Sequence, residues 1–260
     1  MKRFFQWIGV VCIFFLSSLF MSYSTLAQSA RFSYANYIQA KDTLKYRILY
    51  PDYDTTVKYP LVVFLHGSGE RGDDNEAQLK WGVLNFATDE MMVIHPAIIV
   101  APQCPAGERW ASFSGFGSPE GLRLNAQPSV PMKLLMGLIH QLIEKDRVDT
   151  DRIYITGLSM GGLGTYDAIT RYPDLFAAAI PVAGGGDPSK ADRIANLPLW
   201  DFHGAKDAAV DPKYSREMIK ALWRLGGHPG YTEYPDVGHF SWLAAYSDPQ
   251  VLAWLFKQHK

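Results

Sequence analysis

Apolar residues along this chain fall into short runs at two spacings, and the alternation between the two predicts the fold class. Leu61 to Leu65 and Ala97 to Ala101 are unbroken apolar runs, closed by His66-Gly67 and by Pro102. Continuous β-branched runs bounded by Gly or Pro predict strands covered on both faces. Leu44 to Tyr50 alternates and predicts a half-exposed strand, while Ile153 to Thr156, Ala177 to Val182, Leu199 to Phe202 and Tyr231 to Tyr234 predict further strands. Between them the spacing changes. Leu134, Leu135, Leu138, Ile139, Leu142 and Ile143 recur at i, i+3/i+4 and predict an amphipathic helix over 132–146. A second helix opens after the Gly-rich turn that follows Thr156 and runs toward Arg171. A third starts at Asp211-Pro212, an N-cap with Pro at the first helical position, and stops at Gly226-Gly227. Trp242 to Phe256 predicts the last helix. Such alternation argues for an α/β class: a mostly parallel central sheet with helices on both faces. In sheets of this kind the site forms beyond the carboxyl ends of the strands. Residues 107–130, rich in Gly, Ser and Pro and without a period, follow a strand end and are expected to hang over that site as a loop.

The first 27 residues follow another pattern. Lys2 and Arg3 precede an apolar run from Phe4 to Phe20, and small and polar residues lead to Ala27-Gln28. This is the three-part layout of a secretory signal peptide, with cleavage after Ala27 and a single domain over 28–260. An uncleaved membrane anchor is the rival reading, against which Ala27 favours cleavage and a secreted or periplasmic protein. Cleavage removes Cys12 and leaves Cys104 as the only thiol, so no intramolecular disulfide is available outside the cytoplasm. It also removes Lys2 and Arg3 and no acid, which takes the formal net charge from −1 to −3. Neither value gives a nucleic-acid footprint or an attraction to anionic membranes, so neither partner is expected. With 48% hydrophobic and 20% charged residues, the chain has apolar side chains enough for one large core.

Candidate chemistry concentrates at predicted strand ends. Gly157-Leu158-Ser159-Met160-Gly161 matches G-x-S-x-G between a strand and a helix. That motif turns the chain sharply with the serine at its apex, where glycines give room that Cβ atoms would fill. Serine needs a base, and in this arrangement the acid and then the histidine follow it in sequence. His228 sits in a surface turn and His259 beside the C-terminus, whereas His239 follows the last strand in Pro-Asp-Val-Gly-His-Phe and is the candidate base. Asp207 follows the strand Leu199 to Phe202 and is the candidate acid. Asp211 reads better as a helix cap, Asp236 as a turn former and Asp201 as a residue within a strand. An oxyanion needs two N–H donors. Met160 supplies one by position, and Ser68 in His66-Gly67-Ser68-Gly69-Glu70-Arg71-Gly72 is expected to supply the other, with His66 fastening the loop rather than acting as base. Glu70 and Arg71 either pair to fix the loop or are solvated charges. Gln103 and Trp110 flank the 107–130 loop and are candidate substrate contacts, Trp110 as a pocket wall. Cys104 is expected to be inert. No H-E-x-x-H, paired cysteine or Asp-rich loop points to a metal, and no P-loop or G-x-G-x-x-G opens a helix, so no cofactor is expected.

The loop His66 to Gly72, the segment Pro102-Gln103-Cys104-Pro105 with Trp110, the elbow Gly157 to Gly162, the turn His203-Gly204…Asp207 and Gly238-His239 resemble α/β-hydrolase enzymes. They look like the secreted bacterial esterases related to phospholipase/carboxylesterases, polyhydroxybutyrate depolymerases and feruloyl or acetylxylan esterases. Prolyl-oligopeptidase-type peptidases are a more distant likeness. The resemblance spans nearly all of the mature chain. It implies Ser159, Asp207 and His239 as a catalytic triad, the Ser68 and Met160 amides as oxyanion hole, and hydrolysis of carboxylic esters by an acyl-enzyme route. A peptidase on the same machinery is the alternative, and a catalytically silent binding protein is disfavoured by the full set of groups. Forty-eight positions separate Ser159 from Asp207, and 32 separate Asp207 from His239. That leaves no length for a large cap domain. An open site is expected to take short-chain or aromatic acyl esters, including those on oligosaccharides.

Overall fold

The computed structural model describes residues 27–260 except 53 and 55. The expected signal segment therefore lies outside the described residues apart from Ala27. Among the described residues ten strands are formed: β1 (Ser33–Gln39), β2 (Asp42–Leu49), β3 (Tyr59–Leu65), β4 (Ile98–Gln103), β5 (Phe113–Ser114), β6 (Arg123–Leu124), β7 (Val148–Leu158), β8 (Ala178–Val182), β9 (Trp200–Gly204) and β10 (Gly230–Tyr234). The α-helices around the sheet include α1 (Asp89–Ile94), α2 (Val130–Lys145), α3 (Met160–Arg171), α4 (Lys213–Arg224), α5 (Trp242–Ser247) and α6 (Pro249–Phe256). Eight strands form one sheet in the order β1-β2-β4-β3-β7-β8-β9-β10. Within this sheet β2 runs antiparallel to β1 and β4, and the remaining pairings are parallel.

Strand periodicity divides the core in two. Leu61, Val63 and Leu65 of β3 enter one apolar cluster and Val62 and Phe64 the other, as successive side chains point to opposite faces. The first cluster takes in α2, with Leu135, Leu138, Ile139 and Leu142, and α4, with Met218, Ile219 and Leu222. The second is covered by Trp242, Ala245 and Tyr246 of α5 and by Val251, Leu252 and Leu255 of α6. Both faces are thus sealed by helices, and the fold is an α/β-hydrolase fold with a mostly parallel sheet.

Four local expectations are revised. β2 is not half-exposed: Tyr46, Arg47, Ile48 and Leu49 are all buried, because Arg47 donates to the carbonyls of Phe32, Asn75 and Ser29. The predicted last helix is two helices, divided where Pro249 has no N–H for a continuous ladder and Asp248 caps the second by accepting from Gln250 N–H at 2.8 Å. Asp211 stands one position ahead of the N-cap of α4 and accepts from Lys213 N–H at 2.9 Å. Residues 107–130 are not a free loop. Their β5–β6 hairpin is tied to α3 and its surroundings by Ser112 N–H to Asp167 (2.8 Å), Leu124 N–H to Asp187 (2.9 Å) and Gly117 N–H to Tyr214 Oη (2.6 Å). Between Ser159 and Asp207 the chain builds only α3, β8, a 3-10 segment (Pro188–Ile194) and β9, and between Asp207 and His239 only α4 and β10. No cap domain interrupts either stretch.

Candidate active site

Ser159 joins β7 to α3 with φ 54° and ψ −116°. This left-handed backbone is costly for a residue with a Cβ and is characteristic of a nucleophile elbow. The elbow needs its glycines for close approach. A Cβ at Gly157 would lie 2.6 Å from the carbonyl oxygens of Gly161 and Leu65, and one at Gly161 would strike the Leu65 carbonyl. Ser159 N–H donates to Val182 O at 2.9 Å, which anchors the turn to β8.

The three residues separated by 48 and 32 positions meet here. His239 Nε2 is 2.9 Å from Ser159 Oγ, and His239 Nδ1 is 2.7 Å from Asp207 Oδ2. Asp207 Oδ1 accepts from the amides of Ala209 (2.8 Å) and Val210 (3.0 Å). Its carboxylate is completely buried. Burial works to raise its pKa. The hydrogen bonds from His203, His239, Val210 and Ala209 outweigh that and hold it well below the usual carboxylate range, so the acid is ionised. An ionised Asp207 on Nδ1 selects the tautomer whose Nε2 can take a proton from Ser159. Lys206 pairs with Asp236 at the surface (2.7 Å), which leaves Asp236 a turn residue.

The loop after β3 lies beside the elbow. Leu65 is in register with Gly157, and a Cβ on Gly67 would meet the Leu158 side chain at 2.9 Å, so the loop packs against the residue preceding Ser159. His66 is buried. Its Nδ1 donates to Gly67 O (2.6 Å) and its Nε2 accepts from Cys104 N–H (2.9 Å). Burial pushes its pKa down to about 4, so it is a neutral fastener. Cys104 is buried as well, its thiol pushed up to about 12 by desolvation. Glu70 and Arg71 do not pair with each other. Arg71 donates to the carbonyls of Ser68 (2.9 Å) and Glu108 (3.3 Å), while Glu70 turns inward, where burial raises its pKa and Trp81 donates to it.

Two expected substrate contacts are corrected. Gln103 is buried and fully engaged, accepting from Asn75 N–H (2.7 Å) and donating to Glu70 O (3.1 Å) and Asp74 Oδ1 (2.8 Å). Trp110 is 0% exposed, packs edge-on against His66 and donates to His66 O (3.2 Å). Both brace the loop carrying Ser68 from behind and present no surface to a substrate. Sequence reasoning quoted His203 in its turn but gave no role to it, although its Nε2 lies 3.3 Å from Asp207 Oδ2. Its signal is the polar pair Asp201 and His203 at alternate positions of the otherwise buried β9.

Residues 54–248, well over half of the chain, match the family model described as phospholipase/carboxylesterase. A probable carboxylesterase of Oryza sativa subsp. japonica is 24% identical over 197 residues, covering 70% of this chain and 81% of that one. Poly(3-hydroxyalkanoate) depolymerase C of Paucimonas lemoignei is 29% identical over 210 residues, covering 68% of this chain but 47% of the relative. Among solved structures, a thermostable esterase is 38% identical with a TM-score of 0.82; the match covers 90% of this chain and 64% of that one. The chain belongs to the phospholipase/carboxylesterase family and is an ester-hydrolysing enzyme of the α/β-hydrolase fold.

Proposed function

We propose that the protein is an exported serine esterase that cuts short-chain or aromatic acyl esters through an acyl-enzyme on Ser159. The observation that carries this reading is the unbroken hydrogen-bonded line Ser159–His239–Asp207 at the tip of the elbow. In the proposed cycle His239 takes the Ser159 proton as Oγ attacks the ester carbonyl. The Met160 and Ser68 amides receive the oxyanion, and His239 returns the proton to the leaving alcohol. Water then repeats the sequence on the acyl-enzyme. Phe240, 54% exposed, and its edge-on neighbour Trp81 place an aromatic rim beside His239, which suits a short or aromatic acyl group. The uncapped approach suits a bulky alcohol portion, such as a sugar or polymer chain.

Turnover of p-nitrophenyl acetate and of aminoacyl anilides tests the class, and ester turnover without anilide turnover is the expected result. Ser159→Ala loses nearly all of it while staying folded. Asp207→Asn lowers kcat by about 10³–10⁴-fold, since it leaves the imidazole in the wrong tautomer. Asp236→Asn changes it little. Wild-type rates in Ser159→Ala would refute the assignment. Export is tested by N-terminal sequencing of protein outside the cytoplasm, which should begin at or near Gln28.

A further inference from the structure

The acid of the Ser159 site carries a second histidine. Asp207 Oδ2, which accepts from His239, also lies 3.3 Å from His203 Nε2. Behind His203 the contacts continue inward. His203 Nδ1 is 2.7 Å from Ser215 Oγ, Ser215 Oγ is 3.0 Å from Asp201 Oδ1, and Asp201 Oδ2 accepts from Tyr166 Oη at 2.5 Å. His203, Ser215, Asp201 and Tyr166 are each 0% exposed. Bulk solvent therefore does not reach this line of contacts.

The hydrogens can be counted. His203 Nε2 faces two acceptors, the Val210 carbonyl at 2.9 Å and Asp207 Oδ2, so it bears a hydrogen. Ser215 has one hydroxyl hydrogen and two neighbours that require one. If Ser215 donates to Asp201, His203 Nδ1 must bring its own hydrogen and the ring is an imidazolium. If Ser215 donates to Nδ1, Asp201 must be protonated. Either way the trio holds one extra proton and is neutral as a whole. The surroundings select the first arrangement. The ring stands between two carboxylates, and Asp201 accepts from two hydroxyls, which stabilises its anion. Burial by itself would lower the pKa of His203, but the Asp207 bond, the Asp201 charge and the Val210 carbonyl more than offset it and hold it above the ordinary histidine value. Burial pushes Asp201 up to about 6, and the His203 charge with the Tyr166 and Ser215 hydroxyls works against that rise. From the neighbouring strand β10, Glu233 stands in register with His203, but Arg216 of α4 neutralises it through bonds of 2.8 and 2.7 Å, and Tyr231 donates to it.

We propose that His203, held as a cation by Asp201 through Ser215, is a positioning residue of the hydrolytic site. It clamps Asp207 Oδ2 and reduces the negative charge that Asp207 presents to His239. The proposal rests on the reading of Ser159, His239 and Asp207 as the triad. Oδ1 is held by two amides, and Oδ2 accepts from His239 while His203 stands 3.3 Å away as its ion-pair partner.

The test is the pH dependence of kcat/KM for p-nitrophenyl acetate in the full chain, in His203→Gln, in Asp201→Asn and in the double variant. A cation beside the site opposes formation of the catalytic imidazolium. Its removal should move the acid limb of the profile to higher pH, by about half a unit or more. Asp201→Asn should move the limb the same way, because the cation loses the anion that holds it. The double variant should move it no further than the larger single shift. A packing role alone would lower thermal stability and kcat and leave the limb in place, so limbs coinciding with wild type in folded variants overturn the proposal. Should the variants not fold, ¹⁵N-histidine NMR of the wild-type chain decides. At about pH 7.5 one buried ring should have both nitrogens protonated, and a spectrum with no imidazolium overturns the charge assignment. If Ser159→Ala keeps full turnover, the triad reading is what has failed, and the ring-nitrogen spectrum still reports on His203.

Discussion

Burial of His66 between the Gly67 carbonyl and the Cys104 amide makes its neutral form part of the fold, and this links stability to pH. Its folded pKa is about 4, against about 6.5 in the unfolded chain. As pH falls below about 6.5, the unfolded state binds a proton that the folded state refuses. Stability is then lost until about pH 4, and the full loss amounts to about 3 kcal/mol. The sign is opposite to that of a histidine paired with a carboxylate. His66→Gln removes this titration. Its stability deficit relative to wild type should therefore be smaller at about pH 4.5 than at about pH 7.5, by about 2 kcal/mol. Urea midpoints at the two pH values measure it, and an unchanged deficit would show that His66 titrates as an ordinary histidine. The same residue scale explains the sequence reading of the site. Ser159, Asp207 and His239, which the fold brings together, could be picked out in the sequence because each follows a recognisable strand end. Gln103 and Trp110 were misplaced because their types suit a pocket wall and a brace equally, and only their partners distinguish the two.

At the scale of elements, the β5–β6 hairpin depends on α3. Arg171 pairs with the buried Asp167 at 2.7 Å and also donates to the carbonyls of Asn125 (2.7 Å) and Ala126 (3.1 Å), while Asp167 accepts from Ser112 N–H. One ion pair thus fastens both ends of the hairpin. Arg171→Ala leaves a buried carboxylate without its cation and is expected to cost about 3 kcal/mol, with faster proteolysis within 112–127. Lys206→Ala breaks an exposed pair and should cost less than about 0.5 kcal/mol. Equal effects of the two substitutions would contradict this account. The pattern of apolar residues could not reveal the hairpin, whose strands are two residues each. It also missed β1, whose residues are mostly exposed and which exists by pairing with β2 along its full length.

At the scale of the molecule, the absence of an inserted domain between Ser159 and His239 bears on the proposed preference for short-chain or aromatic acyl esters. A long acyl chain gains roughly 0.8 kcal/mol for each CH₂ it buries, and an uncapped site gives it little to bury against. Values of kcat/KM across p-nitrophenyl acetate, butyrate, octanoate and palmitate should fall with length, with methyl ferulate accepted. A maximum at palmitate would mean that an apolar tunnel exists. Among the described residues no helix is long and apolar enough to cross a membrane.

The sequence by itself determined the α/β alternation, the turn at Ser159 and the order in which Ser159, Asp207 and His239 follow one another. These depend on local spacing: two for strands, about 3.6 for helices, and glycines where Cβ atoms would collide. Only the tertiary structure decided which buried polar groups touch. His203 meets Asp207 because β9 delivers it beneath the turn, and Ser215 reaches both His203 and Asp201 because α4 packs against that strand. Hydrogen-bond partners far apart along the chain leave no mark in local spacing. Their pairing follows from the requirement that every polar group taken out of water find a partner inside, and that requirement is met only when the whole sheet is assembled.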